Sequence, residues 1–352
     1  MTSPTILANH QHNAYPQSPL LLLHLSCQVA SKLGLRTNPQ HVTKRKLTGQ
    51  TAIVAGANSG IGLHIAIALA KQGATVHLAC RNADRGAATV DHVIAQCDDE
   101  RRERVTCRIL DVGDLSSVHG FCSKWKQGGA KIDMLVHNAG IAALPAGSAT
   151  KTADGLEMPV HTTNFLDSFL MPHLLEPHLS TTARVVLTSS TGSYSGAAHF
   201  LSDIPPVVKH SAPGIIARSI ARGKTMLSFV EDSSVSAYGL SKAQQVLFAA
   251  LLQLHFDAQA YQSDGERTHR TAHAFTLGFT STPIFVKLDV TWRTWFTNSL
   301  FATLKTTEKW VAVDTNEGAK TGAWRCGEMR SEEESKMVFT GKECRNGQIS
   351  SI

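Results

Sequence analysis

The sequence predicts an α/β fold of the Rossmann type, a doubly wound parallel sheet with helices on both faces. Short apolar, β-branched runs alternate with amphipathic stretches along most of the chain, which is the pattern of buried strands and surface helices. A glycine-rich turn joins the first such run to the first amphipathic stretch. Strands linked by helical crossovers lie parallel and are covered on both faces.

The elements follow in order. Residues 51–55 read as a first strand, made of small and β-branched side chains. Residues 61–72 read as a helix with Ile61, Ile65 and Leu69 on one side, and Gly73 as its stop. A strand at 75–80, a helix at 84–96, a strand at 105–110, a helix at 115–125 and a strand at 132–137 continue the rhythm. Residues 154–178 read as largely helical, although Pro159, Pro172 and Pro177 interrupt or bound the pattern. A fifth strand at 184–188, a long helix at 238–256 and a sixth strand at 272–277 complete the expected core.

This gives one domain with additions. Residues 1–46 form an N-terminal extension, 47–330 the Rossmann-type domain, and 331–352 a C-terminal tail. Between Ser190 and Tyr238 lie residues 191–237, with Pro205, Pro206 and Pro213. A structureless loop of that length is unusual in a compact domain. Short helices or a flap over the substrate side are expected there.

Composition narrows the function classes. The chain has 352 residues, 42% hydrophobic, with a net charge of +6. Its lysines and arginines are scattered rather than gathered on one face, so no nucleic-acid partner is expected. The seven cysteines are odd in number and form no CxxC pair. Reduced thiols in a cytoplasmic protein, with no metal site, are the expectation. The apolar run Leu20 to Leu23, with Leu25, is too short for a transmembrane span. A packed helix or mobile arm is the first reading of residues 19–30, and weak peripheral membrane contact the second.

The turn Gly56-Ala57-Asn58-Ser59-Gly60-Ile61-Gly62 carries the strongest chemical signal. Gly56 can take backbone angles closed to a side chain. Gly60 and Gly62 let backbone approach a pyrophosphate, and the free N–H groups of the helix start face the anion. Asn58 and Ser59 add side-chain donors. Strand before and helix after make this a dinucleotide site, with the spacing G-x-x-x-G-x-G. The second strand ends in Cys80-Arg81-Asn82. An acidic residue there would select NAD, whereas Arg81 offers a planar cation to a 2′-phosphate. NADP (NADPH) is therefore the expected cofactor, with Arg85 as a candidate helper.

Tyr238 and Lys242 are four apart on an expected helix and share a face. An ammonium beside a phenol favours the phenolate, so Lys242 is expected to lower the tyrosine's pKa. Such a phenol can exchange a proton with a carbonyl or alcohol oxygen. The fifth strand ends in Ser189-Ser190. Ser190 is placed to hydrogen-bond a substrate oxygen, with Ser189 pointing the other way.

Taken together these motifs resemble the short-chain dehydrogenase/reductase family, of the classical type, over about Lys46 to Phe285. They resemble in particular its retinol-dehydrogenase, carbonyl-reductase, protochlorophyllide-reductase and secondary-metabolism branches. The resemblance implies that Asp111 contacts the adenine with the Val112 backbone nearby, and that Asn138-Ala139-Gly140 lines the cofactor. It implies that Asn164 holds a water of a proton relay, that Ser190 orients the substrate oxygen, and that Tyr238 is the acid/base. It also implies that Lys242 binds the nicotinamide ribose, and that Thr280 and Thr282, in the loop from Leu277, close over the nicotinamide. Ala55, His137, Leu277 and Thr280 depart from the usual threonine, asparagine, proline and valine of the family.

The expected function is NADP(H)-dependent interconversion of a carbonyl and an alcohol on a small lipophilic substrate, polyketide-, terpenoid- or retinoid-like. Phe200, Ile215, Ile216, Met226, Leu227 and Phe229 would line its site, or simply pack the insert. Trp292, Trp295, Phe296, Trp310 and Trp324 would complete the pocket or an oligomer interface. Alternatives are an NADP-binding regulatory protein of impaired turnover, and related NADP chemistry such as double-bond reduction. The protein would be a monomer or a homo-oligomer.

Overall fold

The structure, a computed structural model, describes residues 46–97, 103–141, 151–152, 154–156, 162–190, 192–193, 234–260, 268–277, 280–281, 306, 308, 312, 314–327, 342–345 and 348–351. The N-terminal extension with residues 19–30, the body of the 191–237 insert with its apolar side chains, Thr282, Trp292, Trp295, Phe296 and Trp310 lie outside the described residues.

The described strands are β1 (Thr51–Ala55), β2 (Thr75–Cys80), β3 (Val105–Ile109), β4 (Ile132–His137), β5 (Leu179–Thr188), β6 (Thr271–Thr276), β7 (Lys342–Arg345) and β8 (Gln348–Ser351). They form one sheet in the order β3-β2-β1-β4-β5-β6-β7-β8. All pairs from β3 to β7 are parallel, and β8 returns antiparallel to β7. The last two strands lie in the expected C-terminal tail, so the tail contributes to the sheet. Their segments are four residues long and polar, without the apolar run that marks a strand in sequence.

The helices are α1 (Gly60–Lys71), α2 (Ala83–Ala95), α3 (Leu115–Gly128), α4 (Asp167–Leu175), α5 (Ser234–Ala260) and α6 (Thr315–Gly327). Strand alternation sends neighbouring side chains to opposite faces. Ala52 and Val54 of β1 therefore pack with Ile65 and Leu69 of α1, Val93 of α2 and Cys326 of α6. Ile53 and Ala55 pack with Phe121 and Trp125 of α3, Met171 of α4 and Phe256 of α5. Both layers are apolar, which is why the parallel strands read as continuous hydrophobic runs. Each large side chain fully buried here, such as Ile53, Leu69 or Phe275, contributes about 1.5–3 kcal/mol of transfer free energy.

The stretch expected to be largely helical over 154–178 is helical throughout residues 162–178, in three kinds of turn. Residues 162–166 form a π-helical turn, α4 holds Pro172 inside it, and Glu176–His178 is a 3-10 turn before β5. Proline removes a helical donor and crowds the preceding turn, and Ser168 Oγ is drawn to the carbonyls of Asn164 and Phe165. Strand β5 begins earlier than expected, at Leu179, and α5 starts one turn before Tyr238. On α5 the leucines Leu247, Leu251 and Leu254 are exposed.

The sheet's order reverses at β1, whose neighbours are β2 on one side and β4 on the other. Crevices for ligands open at such a reversal, beyond the carboxyl ends of the strands. The glycine turn leaves β1 there, and Asn138-Ala139-Gly140 leaves β4 beside it.

Candidate active site

The glycine turn is held by β4's extension. Gly56 has φ +70° and Gly60 φ +59°, both in the left-handed region. A Cβ on Gly56 would lie 2.7 Å from Ala139 Cα, and one on Gly62 would lie 2.5 Å from both Asn138 Nδ2 and Gly56 O. Asn138 Nδ2 donates to Gly56 O at 3.3 Å. The glycines are thus required by the approach of two backbones. Ile61 is buried in the core below, which anchors the first turn of α1.

Helix starts differ in a telling way. Asn82 caps α2 through Arg85 N at 2.9 Å, and Asp114 caps α3 through Ser116 N and Ser117 N. Ser59, the residue before α1, is extended (φ −166°, ψ 166°) and makes no side-chain cap. The first-turn amides of α1 are therefore not taken by their own cap residue, and they point where a pyrophosphate would sit. Asn58 of the same turn lines an open cleft of about 280 Å³ with Leu63, Arg85, Ala88, Thr89 and His92. Arg81 is exposed at the end of β2. At the end of β3, Asp111 Oδ1 accepts from Gly113 N at 3.0 Å, and Asp111 N donates to Ser117 Oγ at 2.9 Å, which fixes the Asp111-Val112 bend. These features fit a dinucleotide.

The hydroxyl and amine groups meet one strand away. Ser190 Oγ accepts from Gly192 N at 3.2 Å and lies close enough to the Tyr238 phenol to favour its ionised form. Gly192 has no side chain to intrude: a Cβ there would lie 3.3 Å from Tyr238 Cε1 and 3.6 Å from Ser190 Oγ. Ser189 turns away, its Oγ donating to Lys242 O at 2.9 Å and its N donating to Phe275 O at 2.8 Å. Lys242 is buried. Its Nζ donates to Thr188 O at 2.9 Å and Gln245 Oε1 at 3.0 Å, and stands 5.7 Å from the Tyr238 ring centre.

Burial governs the titration of this group. It pushes the Lys242 amine down to about 7 and His137 down to about 3, the latter with help from Lys242's charge. Burial also raises the Tyr238 phenol, against a smaller lowering by the Ser190 hydroxyl. The expected lowering of Tyr238 by Lys242 is therefore corrected. At this separation the amine acts weakly, while loss of hydration acts on both groups.

Asn164 sits on the π-helical turn and is buried. Its Oδ1 accepts from Ile141 N at 2.7 Å, and its Nδ2 donates to Ile141 O at 2.8 Å and Ser241 Oγ at 3.1 Å. A Cβ on Gly140 would lie 2.9 Å from Asn164 Oδ1 and 3.5 Å from Lys242 Nζ. Gly140, Asn164 and Lys242 thus converge. Asn164's own carbonyl accepts from Gln245 Nε2 at 2.6 Å and Ser168 Oγ at 3.1 Å.

Thr280 is not brought to this cluster. Its hydroxyl donates to Leu277 O at 2.9 Å, and its side chain packs against Gly318 of α6. Thr280 thus braces its own loop. Reasoning from the sequence missed Gln245, Ser241 and Gly192. Gln245 and Ser241 carry one signal, polar residues within one turn of Lys242 on the same helix.

Residues 50–202 match the family model for short chain dehydrogenase. The chain is 38% identical to retinol dehydrogenase 11 of Mus musculus over 157 residues, 44% of this chain and 48% of the relative. It is 37% identical to dehydrogenase/reductase SDR family member 13 of Bos taurus over 164 residues, 46% of this chain and 41% of the relative. The chain thus spans about half the length of the curated relatives it matches. In fold it is similar to an actinorhodin polyketide ketoreductase solved with NADPH (TM-score 0.50, 23% identity, covering 79% of this chain and 90% of that one). It is similar also to the Pseudomonas aeruginosa RhlG/NADP complex (TM-score 0.53, 18% identity, covering 82% and 93%).

Proposed function

We propose that the chain is a short-chain dehydrogenase/reductase, the family whose model matches residues 50–202, and that it is an NADP(H)-dependent oxidoreductase that reduces the carbonyl of a small lipophilic substrate to an alcohol. The observation that carries this reading is that Ser190 and Tyr238 meet across Gly192 beside buried Lys242, on a sheet that also carries a glycine turn shaped for a pyrophosphate.

The glycine turn would hold the pyrophosphate of a nicotinamide dinucleotide, whose ring would supply the hydride for the carbonyl carbon. Ser190 holds the carbonyl oxygen by a hydrogen bond. Tyr238 gives that oxygen its proton. A phenol raised by burial stays protonated through neutral pH, which suits the acid role. Lys242, with an amine near neutrality, carries a proton that can be returned to the phenolate. The exposed Arg81, with Arg85 and Asn58 at the cleft, supports a 2′-phosphate and hence NADP over NAD. The lipophilic substrate rests on the apolar residues of the insert and on the matched relatives' names. A cytoplasmic site, with peripheral membrane contact by residues 19–30, belongs to the same reading. Among the described residues no helix is long and apolar enough to cross a membrane.

The test is NADPH oxidation by the full chain against a panel of retinoid-like aldehydes, polyketide-like ketones and small polar ketones. The parent should turn over lipophilic members, while Tyr238→Phe and Lys242→Ala should lose at least about a hundredfold in kcat. NADPH binding with no oxidation across the panel overturns the reading and favours a regulatory protein. Saturation of a double bond instead of alcohol formation identifies the related chemistry.

A further inference from the structure

Between Lys242 and Asn164 stands the side chain of Gln245, fully buried on α5. Its Oε1 accepts from Lys242 Nζ at 3.0 Å, and its Nε2 donates to the main-chain carbonyl of Asn164 at 2.6 Å and to Ser168 Oγ at 3.4 Å. The family resemblance calls for a water there, held by the asparagine and passing protons to the lysine. In this chain an amide spans the gap.

We propose that Gln245 is a positioning residue for the proton transfer: it clamps Lys242, closes the route through Asn164, and leaves the lysine to exchange its proton on the side facing Tyr238 and the cofactor. The inference rests on the oxidoreductase reading. A carboxamide has an acceptor at one end and donors at the other, and neither end ionises near neutral pH. It can fix two groups relative to one another but does not hand a proton between them. Asn164's carbonyl has two lone pairs, and Gln245 and Ser168 use both.

Donor bookkeeping on Lys242 gives the direction. A charged amine has three N–H groups and a neutral one has two. Thr188 O and Gln245 Oε1 accept two of them. The third proton is therefore the one available for transfer to Tyr238. The cycle balances: Tyr238 loses a proton to the substrate oxygen, Lys242 returns one to the phenolate, and Lys242 takes up a replacement proton that comes in the end from solvent. The titratable groups near Lys242 are His137 from β4 and Tyr238 from α5. The π-helical turn and α4 present Asn164 and Ser168, and β5 presents Thr188, all neutral.

Two variants of the full chain test this. Gln245→Glu places a carboxylate against the amine, and Gln245→Met keeps the length but removes both hydrogen-bonding ends. Lysine 15N NMR, assigned by the signal lost in Lys242→Met, follows the amine with pH, with and without NADP. Gln245→Glu should move the midpoint up by about one pH unit, and Gln245→Met should move it down, each unit being a tenfold change in protonated fraction. The alkaline limb of NADPH-linked reduction should follow the same shifts, changing kcat while KM for the carbonyl holds. If both variants melt like the parent and neither the midpoint nor the limb moves, the proposal is overturned. Should Gln245→Glu not fold, Gln245→Met decides alone. If the parent shows no turnover, the functional reading fails, but the lysine titration still judges the clamp.

Discussion

Gly192 and Tyr238 are packed so closely that a Cβ on the glycine would lie 3.3 Å from the tyrosine's Cε1. The same Cβ would lie 3.6 Å from Ser190 Oγ. The spacing lets the loop after β5 carry Ser190 to the phenol. Gly192→Ala should displace the ring by a few tenths of an ångström and lower kcat about tenfold, equivalent to ~1.4 kcal/mol of barrier. Cofactor affinity should change less than kcat, because a Cβ at Gly192 would meet Tyr238 and Ser190. Steady-state kinetics with an NADPH titration check this, and an unchanged kcat would show that the ring adapts freely.

Gly56→Ala should damage the fold and the cofactor site together. The left-handed backbone alone costs about 1–2 kcal/mol for an L-residue, and the added carbon would overlap Ala139 Cα at 2.7 Å. The Ala139 loop must move, and with it Asn138 and the mouth of the site. A lowered melting temperature with weakened NADPH binding is expected. Full retention of both would contradict the close approach of β1 and β4.

Arg81 is predicted to set the choice of dinucleotide. A charge-assisted hydrogen bond to a phosphate is worth about 1.5–3 kcal/mol, so Arg81→Asp should lower kcat/KM for NADPH relative to NADH by about 10–100-fold. Arg85→Ala should have a smaller effect of the same sign. An unaltered ratio in the double variant would assign the preference elsewhere.

His137 should make the protein acid-sensitive. Its folded pKa is pushed down to about 3 from 6.5, so the unfolded chain binds the extra proton first. Stability is fully present above the unfolded value and is lost as pH falls from about 6.5 toward 3, at up to about 1.4 kcal/mol per pH unit. His137→Asn should flatten this slope. Urea unfolding at about pH 8 and about pH 5 measures it, and equal slopes in parent and variant would show that His137 is not the group responsible.

Much of this architecture was legible beforehand because its signals are local. The strand at 51–55, the glycine turn and the helix after it follow from side-chain period and glycine position alone. The tyrosine–lysine spacing follows from helical pitch, and a hydroxyl pair ending an apolar run marks Ser190 as a strand-end group. Strands β7 and β8 were not legible, because polar four-residue segments reveal themselves only when an existing sheet edge pairs with them. The helical character of the stretch before β5 was legible, but its opening π-helical turn was not, because periodicity does not distinguish one helical hydrogen-bond pattern from another.

The sequence by itself determined which chemical groups this protein has and the order in which they meet the sheet, since strand and helix periods are set within a few residues. Only the tertiary structure decided how those groups behave. It buried Lys242 and His137 and partly buried Tyr238 beside them, so that loss of hydration is the largest influence on all three. It set Gln245 between lysine and asparagine, and turned Thr280 into its own loop. Burial and hydrogen-bond partnership depend on residues far apart in the chain, and no local pattern records them.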